Sequence, residues 1–253
     1  MAATAANAHG TTNRLRLNGR GIVGYSLRRY YVDEFQMRQT RALPAGARVL
    51  DLGGTKLRKR GQFDLERFNV RAVYANLVTA KRPDVQADAA AVPFRDASFD
   101  AVICAELLEH VPQPEGVLRE AWRVLRPGGR LLLCVPFLYQ IHADPHDYGR
   151  YTDTWWRQRL ADAGFAVERI EKQGYYASVL MDMMRAWVSD GLPAGRIVGG
   201  LSRLALKPLV GAGKWTARRL DARPGAARSP FWSSFTTGFG IVAVKPDDRS
   251  IAR

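Results

Sequence analysis

Four short apolar runs separated by longer, helix-patterned segments constrain this chain more than any other feature of its sequence. They are residues 48–52 (RVLDL), 71–77 (RAVYANL), 99–104 (FDAVIC) and 130–136 (RLLLCVP). Strands whose apolar residues run on without polar alternation are buried on both faces, the condition of a parallel sheet sandwiched between helices. An amphipathic helix is predicted from Pro114 to Leu125, and Arg126-Pro127-Gly128-Gly129 then turns the chain into the fourth run. A helix from Thr152 to Ala163 precedes a strand over Phe165 to Ile170, and a last strand falls over Phe239 to Val244. Ahead of all these, residues 22–42 place Val23, Leu27, Tyr30, Tyr31, Phe35 and Met37 on one helical face, with Pro44 and Gly46 ending the helix. The fold class is α/β with helices on both faces of a mostly parallel sheet.

Residues 173–234 do not fit a minimal alternation. A structureless connection of that length is improbable, and helical patterns at 176–189 and 196–219, broken at Gly191, Pro193 and Gly195, mark an inserted helical lobe before the last strand. The expected organisation is a disordered leader over 1–20, a core domain with an N-terminal helical cap over 21–172 and 235–253, and the lobe over 173–234. No run of 18 apolar residues occurs, so no spanning helix is expected, and the N-terminus lacks the apolar stretch of a secretory signal. Cys104 and Cys134 fall in predicted strands and read as reduced core thiols of a cytoplasmic protein. The net charge of +14 is uneven: residues 1–48 carry +6, 49–184 carry zero and 185–253 carry +8. The core is neutral, and only its flanks would draw in a polyanion or an anionic membrane.

In an open parallel sheet, ligands sit beyond the C-terminal strand ends. Those ends read Asp51-Leu52-Gly53-Gly54, Asn76-Leu77, Asp88-Ala89 and Cys104-Ala105-Glu106. The ordered set VLDLGG, ADAAAVPFRDASFDAVICAELLEHV and REAWRVLRPGGRLLLCVPF resembles the class I S-adenosylmethionine-dependent methyltransferases from about Arg48 to Phe165. The resemblance implies a Rossmann-like, seven-stranded sheet and S-adenosylmethionine as cofactor. It implies that Gly53 and Gly54 let the backbone approach the methionine part of the cofactor. Asp51 would orient that turn, Asp88 and Ala89 would meet the adenine amino group, and Glu106 would line the methionine side. Two positions depart from the pattern. Asn76 stands where an acidic residue usually grips the ribose hydroxyls, which removes a charge-assisted hydrogen bond. Thr55 stands where a glycine is usual, and it opens a basic run of Lys56, Arg58, Lys59 and Arg60 that reads as a solvated face or as a clamp for an anionic acceptor. GxGxxG and GKS/T motifs are absent, so neither a dinucleotide nor a P-loop phosphate site is indicated.

The segment PFLYQIHADPHDYGRYTDTWWRQRLADAGF, Pro136 to Phe165, resembles a subgroup of these enzymes with a His, Pro, Asp-Tyr and Arg-x-Thr pattern after the fifth strand, often tied to glycan or other specialised biosynthesis. It is where a methyl acceptor would be held. His142 falls on that pattern and is the candidate general base, because histidine titrates near neutrality. His146, Tyr148 and Arg150 are the candidate substrate contacts, although Asp147 and Arg150 also suit a purely structural pair. His110 reads as a residue of a helical turn near the pocket. No metal is expected: the His142–His146 spacing suits a metal only on a helix, which Pro145 opposes, and no other Cys/His spacing suggests one.

The leading expectation is methyl transfer to a small molecule, at a hydroxyl oxygen of a sugar or specialised metabolite. An RNA or protein methyltransferase is the first alternative, resting on the basic flanks; no appended nucleic-acid module or Asn/Asp-Pro-Pro-Tyr/Phe tetrapeptide supports it, and nucleic acid is not the expected partner. A non-catalytic binding protein on the same fold is the second, resting on Asn76 and Thr55. The lobe, apolar with interspersed arginine and lysine, suits an interfacial helix on an anionic membrane or a lid over an apolar acceptor, or else plain packing on the core or on a second copy, and in each case it is expected to help close the substrate pocket.

Overall fold

A computed structural model describes residues 24–57, 61–142, 146–191 and 198–247; the expected leader at 1–20, the basic residues Arg58, Lys59 and Arg60, and Pro145 and Pro193 lie outside the described residues. In chain order the elements are α1 (Leu27–Arg41), β1 (Ala47–Leu52), β2 (Val70–Asn76), β3 (Val85–Gln86), β4 (Phe99–Ala105), α2 (Pro114–Val124), β5 (Leu125–Pro136), α3 (Asp153–Asp162), β6 (Ala166–Lys172), α4 (Tyr176–Ala186), α5 (Val198–Asp221), α6 (Pro224–Arg228), α7 (Pro230–Ser233) and β7 (Gly238–Val244). The seven strands form one sheet in the order β3-β2-β1-β4-β5-β7-β6. All pairings are parallel except those of β7, which runs antiparallel to both β5 and β6.

The uninterrupted apolar strands do what their composition requires. Alternate residues feed two cores, one on each face. Leu50, Leu52, Val102, Cys104, Leu131 and Leu133 pack with Trp156 and Leu160 of α3 and Leu118 of α2 on one side. Val49, Ala101, Ile103, Leu132 and Cys134 pack with Val32 and Phe35 of α1 on the other. Both cysteines are buried and unbridged. Sheet order reverses between β1 and β4, so the crevice beyond their C-terminal ends is the topological switch point.

Three expectations shift. α1 buries Leu27 and Phe35 of the predicted stripe together with Arg28, Val32, Asp33, Gln36, Gln39 and Thr40, whereas Tyr30, Tyr31 and Met37 are only part-buried and Val23 lies outside the described residues. β5 begins at Leu125, so the Pro-Gly-Gly turn is absorbed into the strand at an irregular register beside Phe99 and Ala101. The lobe's first helix ends at Ala186 and runs into a wider π turn over Trp187–Gly191, and two short helices over Pro224–Arg228 and Pro230–Ser233 follow the second.

The lobe docks on α1. Leu27 shares a core with Ala177, Met181, Val188, Val210 and Ala217. Asp182 of α4 accepts hydrogen bonds from the backbone amides of Leu27 at 2.8 Å and Arg28 at 2.7 Å. These are first-turn amides with no partner inside their own helix, so the carboxylate caps α1 and opposes its positive end. No helix among the described residues is long and apolar enough to cross a membrane.

Candidate functional site

The switch-point crevice is a cleft of about 290 Å³ lined by Asp51, Gly53, Gly54, Asn76, Asp88, Ala89 and Glu106, among others. These are the seven residues that the sequence put forward for the cofactor, and four separate strand ends bring them together. The remaining wall comes from α1, through Arg29, Asp33 and Gln36, and from Leu77, Val78, Lys81, Leu107 and His110. The α1 residues were not foreseen: read along the chain, Arg29, Asp33 and Gln36 are ordinary polar helix residues, and only the docking of α1 turns them inward.

The glycine turn is shaped by sterics. Gly53 has φ +77°, and a Cβ there would meet Leu107 Cδ1 at 3.0 Å; a Cβ on Gly54 would lie 2.1 Å from Asp51 Oδ2. Any side chain at these positions would fill the cradle between β1 and β4. Asn76 closes the turn from the β2 side. Its Nδ2 donates to Gly53 O at 2.8 Å and Gly54 O at 3.0 Å, and its Oδ1 accepts from Val78 N at 2.9 Å. Asn76 is therefore a clamp on the turn, and its amide is not free to replace the ribose-gripping carboxylate. An aspartate there would set oxygen against two carbonyl oxygens, which is the physical reason for the departure from the family pattern. Thr55, the other departure, donates its hydroxyl to Leu57 O at 2.7 Å and Lys81 O at 3.1 Å, tying the turn to the opposite lip of the cleft.

Asp88 lies at the exposed end, with Oδ1 accepting from Ala90 N at 2.9 Å. Glu106 has φ +53° and is engaged by a neighbour: Arg28 Nε donates to its Oε1 at 3.1 Å. The pair is buried, with 1% and 7% of the side chains exposed. Burial pushes the Glu106 carboxyl up, but the Arg28 guanidinium outweighs it, and the net direction is down. Arg28 also donates to Gln173, so α1, the β4 end and the segment after β6 meet at one guanidinium.

The candidate acceptor residues follow a different plan. His142, His146, Tyr148 and Arg150 do not line this cleft. Arg150 holds Asp147 through both guanidinium nitrogens, one at 2.6 Å from Oδ2, and the carboxylate accepts the His142 amide at 3.0 Å. Hydrogen bonding to Arg150 holds the Asp147 carboxyl down at about 2. Arg150 is thus engaged in the structural pair with Asp147 that the sequence also offered. Tyr148 is half exposed and His146 packs beside its ring. His142 stands behind the cleft and His110 at its wall, the two rings 5.0 Å apart and near perpendicular, with Glu109 between them. Nε2 of each ring lies 3.7 Å from Glu109 Oε1. Glu109 was overlooked in the sequence because it reads as one more acid in a turn. It is 2% exposed, and burial, then the Glu106 charge, pushes its carboxyl up to about 8.

Among the described residues, none of the lobe lines this cleft, and the lobe meets its wall through α1.

Residues 57–133 match the family model described as a methyltransferase domain. Over that segment the chain is similar to S-adenosylmethionine-dependent methyltransferases. A 27-O-demethylrifamycin SV methyltransferase of Amycolatopsis mediterranei (strain S699) is 49% identical over 69 residues, 27% of this chain and 25% of that one. The demethylmenaquinone methyltransferase of Mycobacterium tuberculosis (strain ATCC 25618 / H37Rv) is 39% identical over 112 residues, 40% of this chain and 47% of that one. The chain thus spans between a quarter and a half of the length of these curated relatives. Among solved structures, the cyclase SpnF superposes with a TM-score of 0.54 at 17% identity, covering 85% of this chain and 82% of SpnF. That likeness extends the shared fold well beyond the matched segment, and it also shows that the fold alone does not set the reaction.

Proposed function

We propose that this chain transfers the methyl group of S-adenosylmethionine to a hydroxyl oxygen of a small-molecule acceptor, a sugar or a specialised metabolite. The observation that carries the reading is the convergence of Asp51, Gly53, Gly54, Asn76, Asp88, Ala89 and Glu106 on one cleft at the switch point. The relatives' own acceptors, a demethylated rifamycin and demethylmenaquinone, support a small molecule over RNA or protein.

When bound, S-adenosylmethionine supplies a methyl carbon made electrophilic by a positively charged sulfur. The chain's part is to bind, orient and exclude water. The Gly53–Gly54 turn, braced by Asn76, offers bare backbone to the methionine part, and Asp51 orients that turn. Asp88, with the backbone of Ala89, offers an acceptor to the adenine amino group at the open end. Leu107 and Ala105 form an apolar wall, and Glu106, fixed by Arg28, keeps a negative charge at the end of β4. A nucleophilic hydroxyl must sit about 3 Å from the methyl carbon with water kept out. Its proton leaves toward the corner where His110 lines the cleft, with Glu109 and His142 behind it; His142 thus acts through that cluster and not by direct contact.

Calorimetry with S-adenosylmethionine and S-adenosylhomocysteine tests the binding half. Release of S-adenosylhomocysteine against a panel of quinols, hydroxylated polyketides and glycosides tests the chemistry. Tight binding of both ligands with release from at least one acceptor is expected. Failure to bind either ligand would remove the methyltransferase reading and favour a binding protein on the same fold.

A further inference from the structure

The corner formed by Glu109, His110 and His142 has the chemistry of a cation site. One ligand-type atom from each residue lies within 4.8 Å of the other two. The second nitrogen of each ring is occupied. His110 Nδ1 lies 2.6 Å from His146 O, and His142 Nδ1 lies 3.2 Å from Gln140 O and 3.5 Å from Asp147 Oδ2. A carbonyl oxygen can only accept, so each Nδ1 carries a hydrogen, and Nε2 is the atom of each ring that faces Glu109 and can serve as a ligand. Among the described residues, neither oxygen of Glu109 nor Nε2 of His110 has a hydrogen-bond partner. The neighbouring guanidiniums are committed elsewhere, Arg28 to Glu106 and Arg150 to Asp147. Potential ligand atoms from the carboxyl and the two rings therefore converge at a corner where both Glu109 oxygens and His110 Nε2 lack a hydrogen-bond partner among the described residues, an arrangement that a cation would satisfy.

We infer that Glu109, His110 and His142 bind a divalent first-row transition-metal ion through the Glu109 carboxylate and the two Nε2 atoms. Metal bonds of about 2.0–2.2 Å place neighbouring ligand atoms roughly 3.0–3.5 Å apart. The two 3.7 Å separations from Glu109 Oε1 need to close by only a few tenths of an ångström. The Nδ1 contacts to a carboxylate and to carbonyls fix ring orientation and tautomer, as outer partners of metal-bound histidines do. Two imidazoles and one carboxylate suit zinc, cobalt, nickel, iron or manganese better than the all-oxygen ions magnesium and calcium. Three protein ligands leave coordination positions open, and His110 puts them at the cleft wall, where an acceptor oxygen can reach. That placement rests on the proposed methyl transfer; the metal binding itself does not. The sequence hid the site because the HxxxH spacing pairs His142 with His146, whereas the fold pairs it with a histidine 32 positions earlier.

The test uses the full chain, stripped with a chelator and titrated with Co²⁺. One equivalent should bind and develop visible d–d absorption, Zn²⁺ should bleach it, and Mg²⁺ in large excess should not. Glu109→Gln keeps the shape and takes away the carboxylate ligand, so it should fold; His142→Asn gives an independent second variant. Each should weaken Co²⁺ binding at least about tenfold and change the spectrum. A wild-type chain with no stoichiometric Co²⁺ spectrum, or a spectrum unchanged in both variants, overturns the site. Calorimetry with S-adenosylhomocysteine on the same metal-free protein keeps the two ideas apart. Nucleotide binding without Co²⁺ binding sinks only the metal, and the converse sinks only the methyltransferase reading.

Discussion

Asn76→Asp exchanges one amide nitrogen for oxygen at nearly constant shape, and it separates two roles for this position. If Asn76 stands in for a ribose-gripping carboxylate, the change should tighten cofactor binding and leave the fold alone. The structure argues otherwise, because Nδ2 donates to Gly53 O at 2.8 Å and Gly54 O at 3.0 Å in a residue only 9% exposed. Two hydrogen bonds worth about 1 kcal/mol each are lost, and a buried carboxylate facing two carbonyl dipoles adds about 1–2 kcal/mol. The total is about 3–4 kcal/mol. At roughly 2–4 °C per kcal/mol for a chain of this size, the unfolding midpoint should drop by about 6–16 °C at neutral pH. The pH dependence has a definite sign. Protonation gives the introduced carboxyl one donor, so its folded pKa rises above the unfolded value of about 3.9. Its share of stability is present below that unfolded value and is lost as pH rises through the folded one. The midpoint gap between variant and wild type should therefore be smallest in acid and widen toward neutrality. Paired thermal melts across that range, with S-adenosylhomocysteine calorimetry at neutral pH, make the measurement. An unchanged midpoint with tighter ligand binding would refute the clamp.

Other outcomes follow from the same geometry. Gly53→Val places a branched side chain at φ +77° against Leu107 and should abolish S-adenosylhomocysteine binding in a chain that still gives a folded circular dichroism spectrum; retained affinity would remove the turn from the site. Asp182→Ala uncaps α1 and should cost about 1–2 kcal/mol in stability, and because Arg29, Asp33 and Gln36 ride on α1 it should also weaken ligand binding, as calorimetry would show. Burial lowers the Lys214 ammonium to about 8, so stability relative to Lys214→Met should rise as pH climbs from about 8 toward the unfolded value near 10.5, where the native chain holds fewer protons than the unfolded one; a flat difference in denaturant titrations would contradict this. The lobe presents Leu180, Met183, Met184 and Trp187 as an exposed stripe along α4 and the turn after it, and liposome sedimentation decides whether that stripe meets lipid: equal recovery in the supernatant with neutral and anionic vesicles at low salt would exclude a membrane role.

The sheet and the glycine turn could be read along the chain because both rest on local chemistry. Apolar runs such as Leu131, Leu132 and Leu133 can be satisfied only when both faces are covered, and they are. The seven cofactor candidates lie at, or a few residues past, the C-terminal ends of strands, and parallel pairing delivers those ends to one edge without further information. Asp88 and Ala89 needed nothing more than their position after β3. What remained hidden depends on partners far away in sequence. Asn76 could be given a role from its place at the end of β2, but the role depends on which way the amide points, and that is set by two carbonyls more than 20 positions earlier.

Arg28 carries this point furthest. In the sequence it is one of four arginines in a helix whose apolar residues seemed to define the buried face. In the fold it is 1% exposed and meets Glu106 and Gln173, positions 78 and 145 residues away, while Asp182, 154 residues away, accepts its backbone amide. A guanidinium left alone at that depth would cost several kcal/mol, so the helix turns its arginine inward only because Glu106 is already there to receive it. Glu106 in turn takes a left-handed backbone conformation, φ +53°, at the lip of the cleft. The ion pair thus ties the N-terminal helix to the end of β4, and Asp182 ties the same helix to the lobe. Among the described residues the lobe reaches the cleft through α1, so unseating the lobe should shift Arg29, Asp33 and Gln36 at the cleft wall.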